Sequence, residues 1–311
     1  MITELRQTLT KTEKEAQYDA AAKCLLGEKV ILAHILIRTI DEFKGMTADE
    51  VVLLIEGEPY IGQVPVEPGA TNRKIEYGST RITGMNTENA EMNEGTTFFD
   101  IIFYVRMRNG RSKIIINVEA QRKEPDKYRI INRAIFYVGR MISSQKEREF
   151  TGMNYDDIEP VYSIWICMNM QENSMCHIYL TKEDLLGKHN WKGNLNLVNI
   201  VMIGLTNALP QRHNEYVLHR LLCAMFSNEL SQQQKMKIME QEYHIPMEES
   251  FKEEVSIMCN LSQGIKEESE AKGEEKARTE IVLNMHKKGY SLDQIVEITN
   301  LDVSTVKAII G

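Results

Sequence analysis

Two acidic residues on a predicted β-hairpin are the part of this sequence best suited to chemistry. Asp100 lies near the start of one apolar segment, residues 98–105, and Glu119 lies near the end of a second, residues 113–121. Asn109-Gly110 stands between the segments, and this dipeptide favours a two-residue hairpin turn because both turn positions need a positive φ. In that hairpin the numbers of opposed residues sum to 219, so Asp100 faces Glu119.

This pairing would place two like charges side by side. Opposed residues of an antiparallel pair have Cβ atoms about 4.5–5.5 Å apart, and like charges there destabilise the pair. Gln121 shares the face of Glu119 because side chains alternate along a strand. A divalent cation would make the patch favourable, since Mg²⁺ prefers oxygen ligands such as carboxylates. The same spacing also fits a carboxylate that points to solvent, or a β-bulge that changes the register.

The repulsion carries an expectation about stability. If the two carboxylates are uncompensated in the absence of metal, then Asp100→Asn or Glu119→Gln removes one like charge. On this basis each variant is expected to be as stable as the parent protein without metal, or more stable.

The segment around the acidic pair is basic, although the chain of 311 residues carries a net charge of −8. That overall charge does not indicate a nucleic-acid-binding protein. Residues 106–148, however, contain twelve Lys or Arg against four Asp or Glu. A basic segment around a carboxylate patch suits a phosphodiester substrate. An ordinary solvated surface accounts for the same charges.

An amphipathic helix is predicted after the hairpin. Pro125 precedes residues 128–144, whose apolar residues recur with a period of about 3.6. The predicted apolar face consists of Ile131, Ala134, Ile135, Val138, Met141 and Ile142. The planar guanidinium group binds two phosphate oxygens at once, so the other face offers three candidate nucleic-acid contacts, Arg129, Arg133 and Arg140. A solvated polar face is the alternative.

The order of these features resembles the PD-(D/E)XK nuclease superfamily, and in particular its transposase-like, recombination-promoting nuclease branch. The resemblance rests on Asp100, on Glu119-Ala120-Gln121 at the end of an apolar strand, and on the helix that follows. It extends over about residues 15–205 and into the C-terminal tail. Phe99 stands where the motif has proline. Gln121 stands where it has lysine, and glutamine is common there in this branch.

The resemblance implies an α/β fold in which helices flank a central mixed sheet, with a helical C-terminal extension. It also implies a Mg²⁺-dependent DNA endonuclease of the transposase or recombination-promoting type, in which Mn²⁺ can substitute. Asp100, Glu119 and the Ala120 backbone carbonyl would hold the metal, and Gln121 would orient the attacking water. Glutamine lacks the positive charge of lysine. Lys123 is therefore a further candidate to supply that charge and to bind the nucleic acid.

Two other functions remain open at this point. The chain could be a non-catalytic DNA-binding or interaction protein that retains the nuclease fold, or an ordinary α/β scaffold whose carboxylates are coincidental. Metal-dependent cleavage would separate the first function from the others. Salt-sensitive DNA retention without metal would separate a DNA-binding protein from a plain scaffold.

The sequence as a whole divides into four predicted parts. Residues 1–205 form the expected core with its N-terminal helix, in which Glu28 and Glu42 are candidate acidic contributors or plain surface residues. Strands are predicted over residues 161–168, 175–180 and 197–205. A helical extension follows over residues 206–265, then a charged linker or exposed helix over 266–280, and a helix-turn-helix-like tail over 281–311. Ser291 and Asp302 are the predicted N-caps in that tail.

Composition narrows the class of protein. Five cysteines without a CxxC pair indicate reduced thiols, and seven histidines show no paired ligand spacing, so neither a disulfide framework nor a zinc site is expected. The N-terminus is polar and the apolar segments are short, so we expect no signal peptide, no membrane span and a cytoplasmic location. DNA is the expected partner, and self-association is left open.

Overall fold

The structure is a computed structural model that describes residues 17–61, 88–91, 95–98, 100–107, 113–121, 128–146 and 149–311. Within these ranges the chain divides into two compact units, residues 17–259 and residues 260–311. The first unit contains the hairpin, the helix that follows it and the mixed sheet.

A six-stranded mixed sheet forms the centre of the larger unit. Its spatial order is β1 (Ile55–Ile61), β4 (Ile101–Arg106), β5 (Lys113–Gln121), β6 (Val161–Cys167), β8 (Val198–Gly204) and β7 (Ser174–Tyr179). β5, β6 and β8 are parallel, whereas β1 with β4, β4 with β5 and β7 with β8 are antiparallel. Two further strands, β2 (Glu88–Glu91) and β3 (Gly95–Phe98), pair with each other. The predicted mixed sheet, with the β4–β5 hairpin near its centre, is confirmed.

The register of the β4–β5 hairpin is the one predicted. Ile101 lies opposite Val118 and Arg106 lies opposite Lys113, so each opposed pair sums to 219. Residues 108–112, which include the predicted Asn109-Gly110 turn, lie outside the described residues. One step beyond Ile101, Asp100 therefore lies beside Glu119.

Helix α4 (Ile130–Ser143) makes the connection from β5 to the parallel strand β6, as parallel pairing requires. Its buried apolar residues pack against a sheet face that includes Trp165, and they are Ile130, Ala134, Tyr137, Val138 and Met141.

The predicted apolar face of α4 is partly wrong, because the buried face is rotated around the helix. Ile131 and Ile135 are 44% and 54% exposed, whereas Tyr137 and Arg140 are buried. Both sides of this helix carry apolar residues. The 3.6-residue period therefore identified the helix without identifying which side meets the sheet.

The N-terminal helical segment consists of two helices and a short third one. Residues 17–27 are helical (α1), and α2 (Lys29–Thr39) follows after a break at Glu28, whose ψ of 125° is extended. Leu25 and Leu26 of α1 are fully buried, as are five residues of α2: Ile31, Leu32, Ala33, Ile35 and Leu36. Helix α3 (Ala48–Val52) begins with a capping box between Thr47 and Glu50.

Five helices follow the sheet: α5 (Val217–Phe226), α6 (Gln232–Tyr243), α7 (Glu249–Lys287), α8 (Leu292–Thr299) and α9 (Val303–Ile310). The charged residues 266–280 lie within α7, so this segment is a helix. Ser291 and Asp302 cap α8 and α9 as predicted. Over the described part of the chain, no helix is both long and apolar enough to cross a membrane.

The C-terminal part of α7 and the last two helices share a small core. Val282 of α7, Ile295 of α8 and Val306 of α9 are fully buried together. Each of the three helices supplies one of these side chains. The cluster therefore forms only when all three helices are present.

Removal of residues 281–311 should leave the larger unit folded, because the Val282 cluster is deleted as a whole. We expect the melting temperature of the core, followed by the near-UV signal of buried Trp165, to change by less than about 2 °C. The DNA cleavage that the resemblance implies should survive the deletion, while DNA affinity or self-association, measured by retention and by sedimentation, should change. An insoluble or unfolded truncated chain would show that the tail belongs to the core.

Candidate active site

Asp100 and Glu119 join the two strands at the open end of the hairpin. The Asp100 backbone N–H donates to Glu119 Oε1 at 3.0 Å, and the Ala120 N–H donates to Asp100 Oδ2 at 3.0 Å. Each carboxylate thus accepts a hydrogen bond from the opposite strand, just beyond the last regular pair, Ile101 with Val118. The structure brings together Asp100, Glu119 and Ala120, as predicted.

Two cationic side chains from different helices face the carboxylates. Lys23 Nζ of α1 lies 2.9 Å from Asp100 Oδ1 and 2.8 Å from Asp19 Oδ2. Arg133 Nη2 of α4 lies 3.9 Å from Glu119 Oε2. Each carboxylate of the pair therefore has a positive neighbour, and the expectation of an uncompensated repulsion is wrong.

Burial makes these countercharges necessary. The Glu119 side chain is 0% exposed and that of Asp100 is 14% exposed. Removing a charge from water is expensive unless the charge is paired and hydrogen-bonded. The backbone N–H groups and the two cations offset part of this cost.

Aromatic side chains fix the position of the Arg133 guanidinium. Its Cζ lies 4.9 Å from the ring centre of Tyr137 and 5.5 Å from that of Trp165. It also donates to the hydroxyl oxygens of Tyr137 at 2.6 Å and Tyr128 at 2.8 Å. Burial, followed by the charge of Glu119, raises the pKa of Tyr137 to about 12. The phenol therefore stays neutral at physiological pH.

Lys23 is the second cation of this site. Burial alone would lower its pKa, but the charge of Asp100 and the hydrogen bonds to Asp19 and Asp100 outweigh burial and raise the pKa. The ammonium group is therefore charged at neutral pH, at the end of a flexible four-carbon stem. Sequence reasoning missed this residue. The only local signal was the i,i+4 spacing of Asp19 and Lys23 on the predicted first helix.

Glu28 and Glu42, the two acidic residues suggested from the N-terminal helical segment, lie next to residues other than Asp100 and Glu119. Glu28 contributes, after burial, to the raised pKa of Glu254. Glu42 lines a cavity of about 200 Å³ with Tyr162 and His177. Neither residue has a described contact with Asp100 or Glu119.

The predicted basic residues have different environments. Arg129 is exposed at the N-terminus of α4, and Arg133 is half-buried beside Glu119. Arg140 is only 4% exposed, with its Cζ 5.7 Å from the Phe136 ring. The three arginines therefore do not share one exposed face. Lys123 and the side chain of Gln121 lie outside the described residues, although the Gln121 backbone ends β5 opposite Cys167.

A divalent cation fits the chemistry of this donor set, although the described residues contain no group of three or more His, Cys, Asp or Glu arranged to hold a metal ion. Mg²⁺ takes one or two carboxylates together with waters and substrate oxygens. Asp100 Oδ1 already contacts a positive group, the Lys23 ammonium. That contact shows that this oxygen is placed to take positive charge.

Comparison with known proteins gives one match. Residues 73–284 match the family model described as PD-(D/E)XK nuclease family transposase. The matched range covers more than half of the chain and includes Asp100, Glu119, Gln121 and α4, but not Lys23. No curated protein and no solved structure matches the chain.

Asp100→Asn should lower the free energy of unfolding in the absence of metal, by about 1–3 kcal/mol. The substitution removes the charge that the partly buried Lys23 ammonium faces. It also weakens the hydrogen bond from Ala120. Urea denaturation measures this change.

Asp19→Asn is the matched control, because Asp19 binds the same ammonium group but its side chain is 50% exposed. Its loss should change stability by less than about 1 kcal/mol. An Asp100→Asn variant as stable as the parent would instead restore the account of uncompensated repulsion.

Proposed function

We propose that this chain, which belongs to the PD-(D/E)XK nuclease family of transposases, is a Mg²⁺-dependent DNA endonuclease of the recombination-promoting type that acts in the cytoplasm. The observation that carries the proposal is the joined pair of Asp100 and Glu119 at the open end of the hairpin, beside α4. The matched range contains both residues.

Asp100, Glu119 and the Ala120 backbone carbonyl would hold the metal. When bound, Mg²⁺ or Mn²⁺ would polarise the scissile phosphate and lower the pKa of a water molecule. The water oxygen forms a new bond to phosphorus, one phosphorus–ester oxygen bond breaks, and the leaving oxygen takes a proton. The product ends are a phosphate and a hydroxyl.

The chain's own residues hold and orient the reacting groups. Arg133, fixed by its aromatic neighbours, keeps a positive charge beside the fully buried Glu119. The amide of Gln121 would accept a hydrogen bond from the attacking water and orient it. An amide cannot supply positive charge to the phosphate, so that charge has to come from another residue.

The phosphate backbone of DNA would be bound by basic residues around α4. Arg129 is the best placed of the four candidates, because it is exposed at the start of the helix. Arg133 would contribute through its exposed part, whereas Arg140 would first have to leave its buried position. Lys123 completes this set of proposed contacts.

A non-catalytic DNA-binding protein is the second candidate function, and one observation favours it. The carboxylate oxygens already bind an ammonium group and backbone N–H groups. The motif lysine is also absent. Such a protein would retain DNA without metal and would lose this retention as salt increases.

A plasmid-cleavage assay tests the choice between these functions. We expect the purified protein to cut supercoiled DNA with Mg²⁺ or Mn²⁺ and to be inactive with a chelator. Glu119→Gln removes a ligand charge without changing size and should reduce cleavage by at least about a hundredfold. Asp19 is not one of the proposed metal ligands, so the Asp19→Asn variant should cleave like the parent.

Three results would contradict the nuclease proposal. Cleavage that survives in Glu119→Gln would mean that another site is responsible, and cleavage that persists with a chelator would exclude the metal requirement. DNA retention without any cleavage would favour the second candidate function.

The contribution of Arg129 can be read from the salt dependence of DNA binding. Each phosphate contact adds up to about one unit to the slope of log affinity against log salt, so Arg129→Gln should flatten the slope by up to about one unit. The matched control is Arg106→Gln, since Arg106 is also exposed but lies at the opposite end of β4 from Asp100. Equal slopes in the two variants would show that Arg129 is only solvated.

A further inference from the structure

Within the described part of the chain, Lys23 is a charged contact of the acidic pair that the proposed mechanism has not used. Its ammonium group bridges Asp100 Oδ1 at 2.9 Å and Asp19 Oδ2 at 2.8 Å, and its side chain is 21% exposed. The residue lies on α1, upstream of the range 73–284 that matches the family. Its contact with Asp100 joins α1 to the hairpin.

The proposed nuclease lacks a positive charge at the motif position. Gln121 is neutral, while phosphoryl transfer places negative charge on the oxygens around phosphorus and is stabilised by positive groups fixed nearby. Among the described residues, the cationic side chains that contact the acidic pair are Lys23 and Arg133. Lys123, the candidate that the sequence offers, lies outside the described residues, so Lys23 and Arg133 are the described cations that could supply this charge.

Arg133 is poorly suited to that task because its guanidinium is already engaged. It donates to two tyrosine hydroxyls and lies against the rings of Tyr137 and Trp165. The Lys23 ammonium group is held by two carboxylates, and Asp19 is half-exposed, so the ion pair with Asp19 contributes little to stability. A lysine is also a compact charge on a flexible stem, which can move to a new partner.

We propose that Lys23, from helix α1, supplies the positive charge that Gln121 does not supply, by binding a non-bridging oxygen of the scissile phosphate. The proposal rests on the proposed nuclease function. A phosphate oxygen bound beside Asp100 would lie within reach of the Lys23 ammonium group, because that group already touches Asp100. In the free protein the same ammonium group neutralises Asp100.

The test compares four full-length proteins: the parent, Lys23→Gln, the double variant Lys23→Gln/Gln121→Lys, and Asp19→Asn. Two quantities are measured for each protein, namely Mn²⁺ affinity by isothermal titration calorimetry and the plasmid-cleavage rate at saturating Mn²⁺. Asp19→Asn is the control for loss of the helix ion pair alone, and both of its values should match those of the parent.

Lys23→Gln should change the two quantities in opposite directions. Mn²⁺ should bind about tenfold more tightly, which corresponds to about 1.4 kcal/mol, because a competing cation has left Asp100. Cleavage should fall by about a hundredfold, the usual effect of removing one group that stabilises transition-state charge. The double variant should recover at least about tenfold of that loss, because Gln121→Lys places a positive charge at the end of β5, the strand that carries Glu119. Recovery would not occur if Lys23 had only a structural role.

The outcomes separate the two proposals. A parent that does not cleave overturns the proposed function and this inference together. A parent that cleaves, with Lys23→Gln equally active, overturns this inference alone. A slow Lys23→Gln variant with weakened Mn²⁺ binding and no recovery in the double variant also overturns it, because Lys23 then only positions Asp100.

If Lys23→Gln does not fold, Lys23→Arg, which keeps the charge, should cleave within about tenfold of the parent. Its inactivity with intact Mn²⁺ binding would again reject the proposal.

Discussion

The exchange of hydrogen bonds between Asp100 and the Glu119-Ala120 segment is the interaction on which the rest of the site depends. It fixes the open end of the hairpin, where two carboxylates would otherwise repel each other. A cation from a helix stands against each carboxylate, Lys23 from α1 and Arg133 from α4, and offsets this repulsion. The charges of this site are therefore set by four elements that meet at one point: α1, the two strands of the hairpin, and α4.

This arrangement links the fold to the proposed chemistry. The sheet holds the two carboxylates rigidly, because β5 is hydrogen-bonded on both sides, to β4 and to β6. Helix α4 supplies a fixed cation, since Arg133 is enclosed by aromatic rings. Helix α1 supplies the second cation, the Lys23 ammonium group beside Asp100. In the proposed mechanism Arg133 stays beside the buried Glu119, and Lys23 follows the reacting phosphate.

The sequence was sufficient wherever the relevant signal was local. The Asn109-Gly110 dipeptide and the alternation around it predicted the hairpin register, and Asp100 lies beside Glu119 as that register requires. The buried side of α4 could not be predicted from local sequence. Apolar residues occur on both sides of this helix, and packing against the sheet decides which side is buried. Lys23 was missed for the same reason. Its contact with Asp100 spans 77 positions of the sequence and depends on how α1 packs.

The most direct test of this account is a crystal structure of the protein grown with Mn²⁺, with diffraction data collected at a wavelength where manganese scatters anomalously. The account predicts an anomalous peak in contact with the carboxylate oxygens of Asp100 and Glu119. It also predicts that the Lys23 ammonium has moved away from Asp100 Oδ1. A structure in which Lys23 still bridges Asp100 and Asp19, with no manganese between the carboxylates at saturating Mn²⁺, would contradict it.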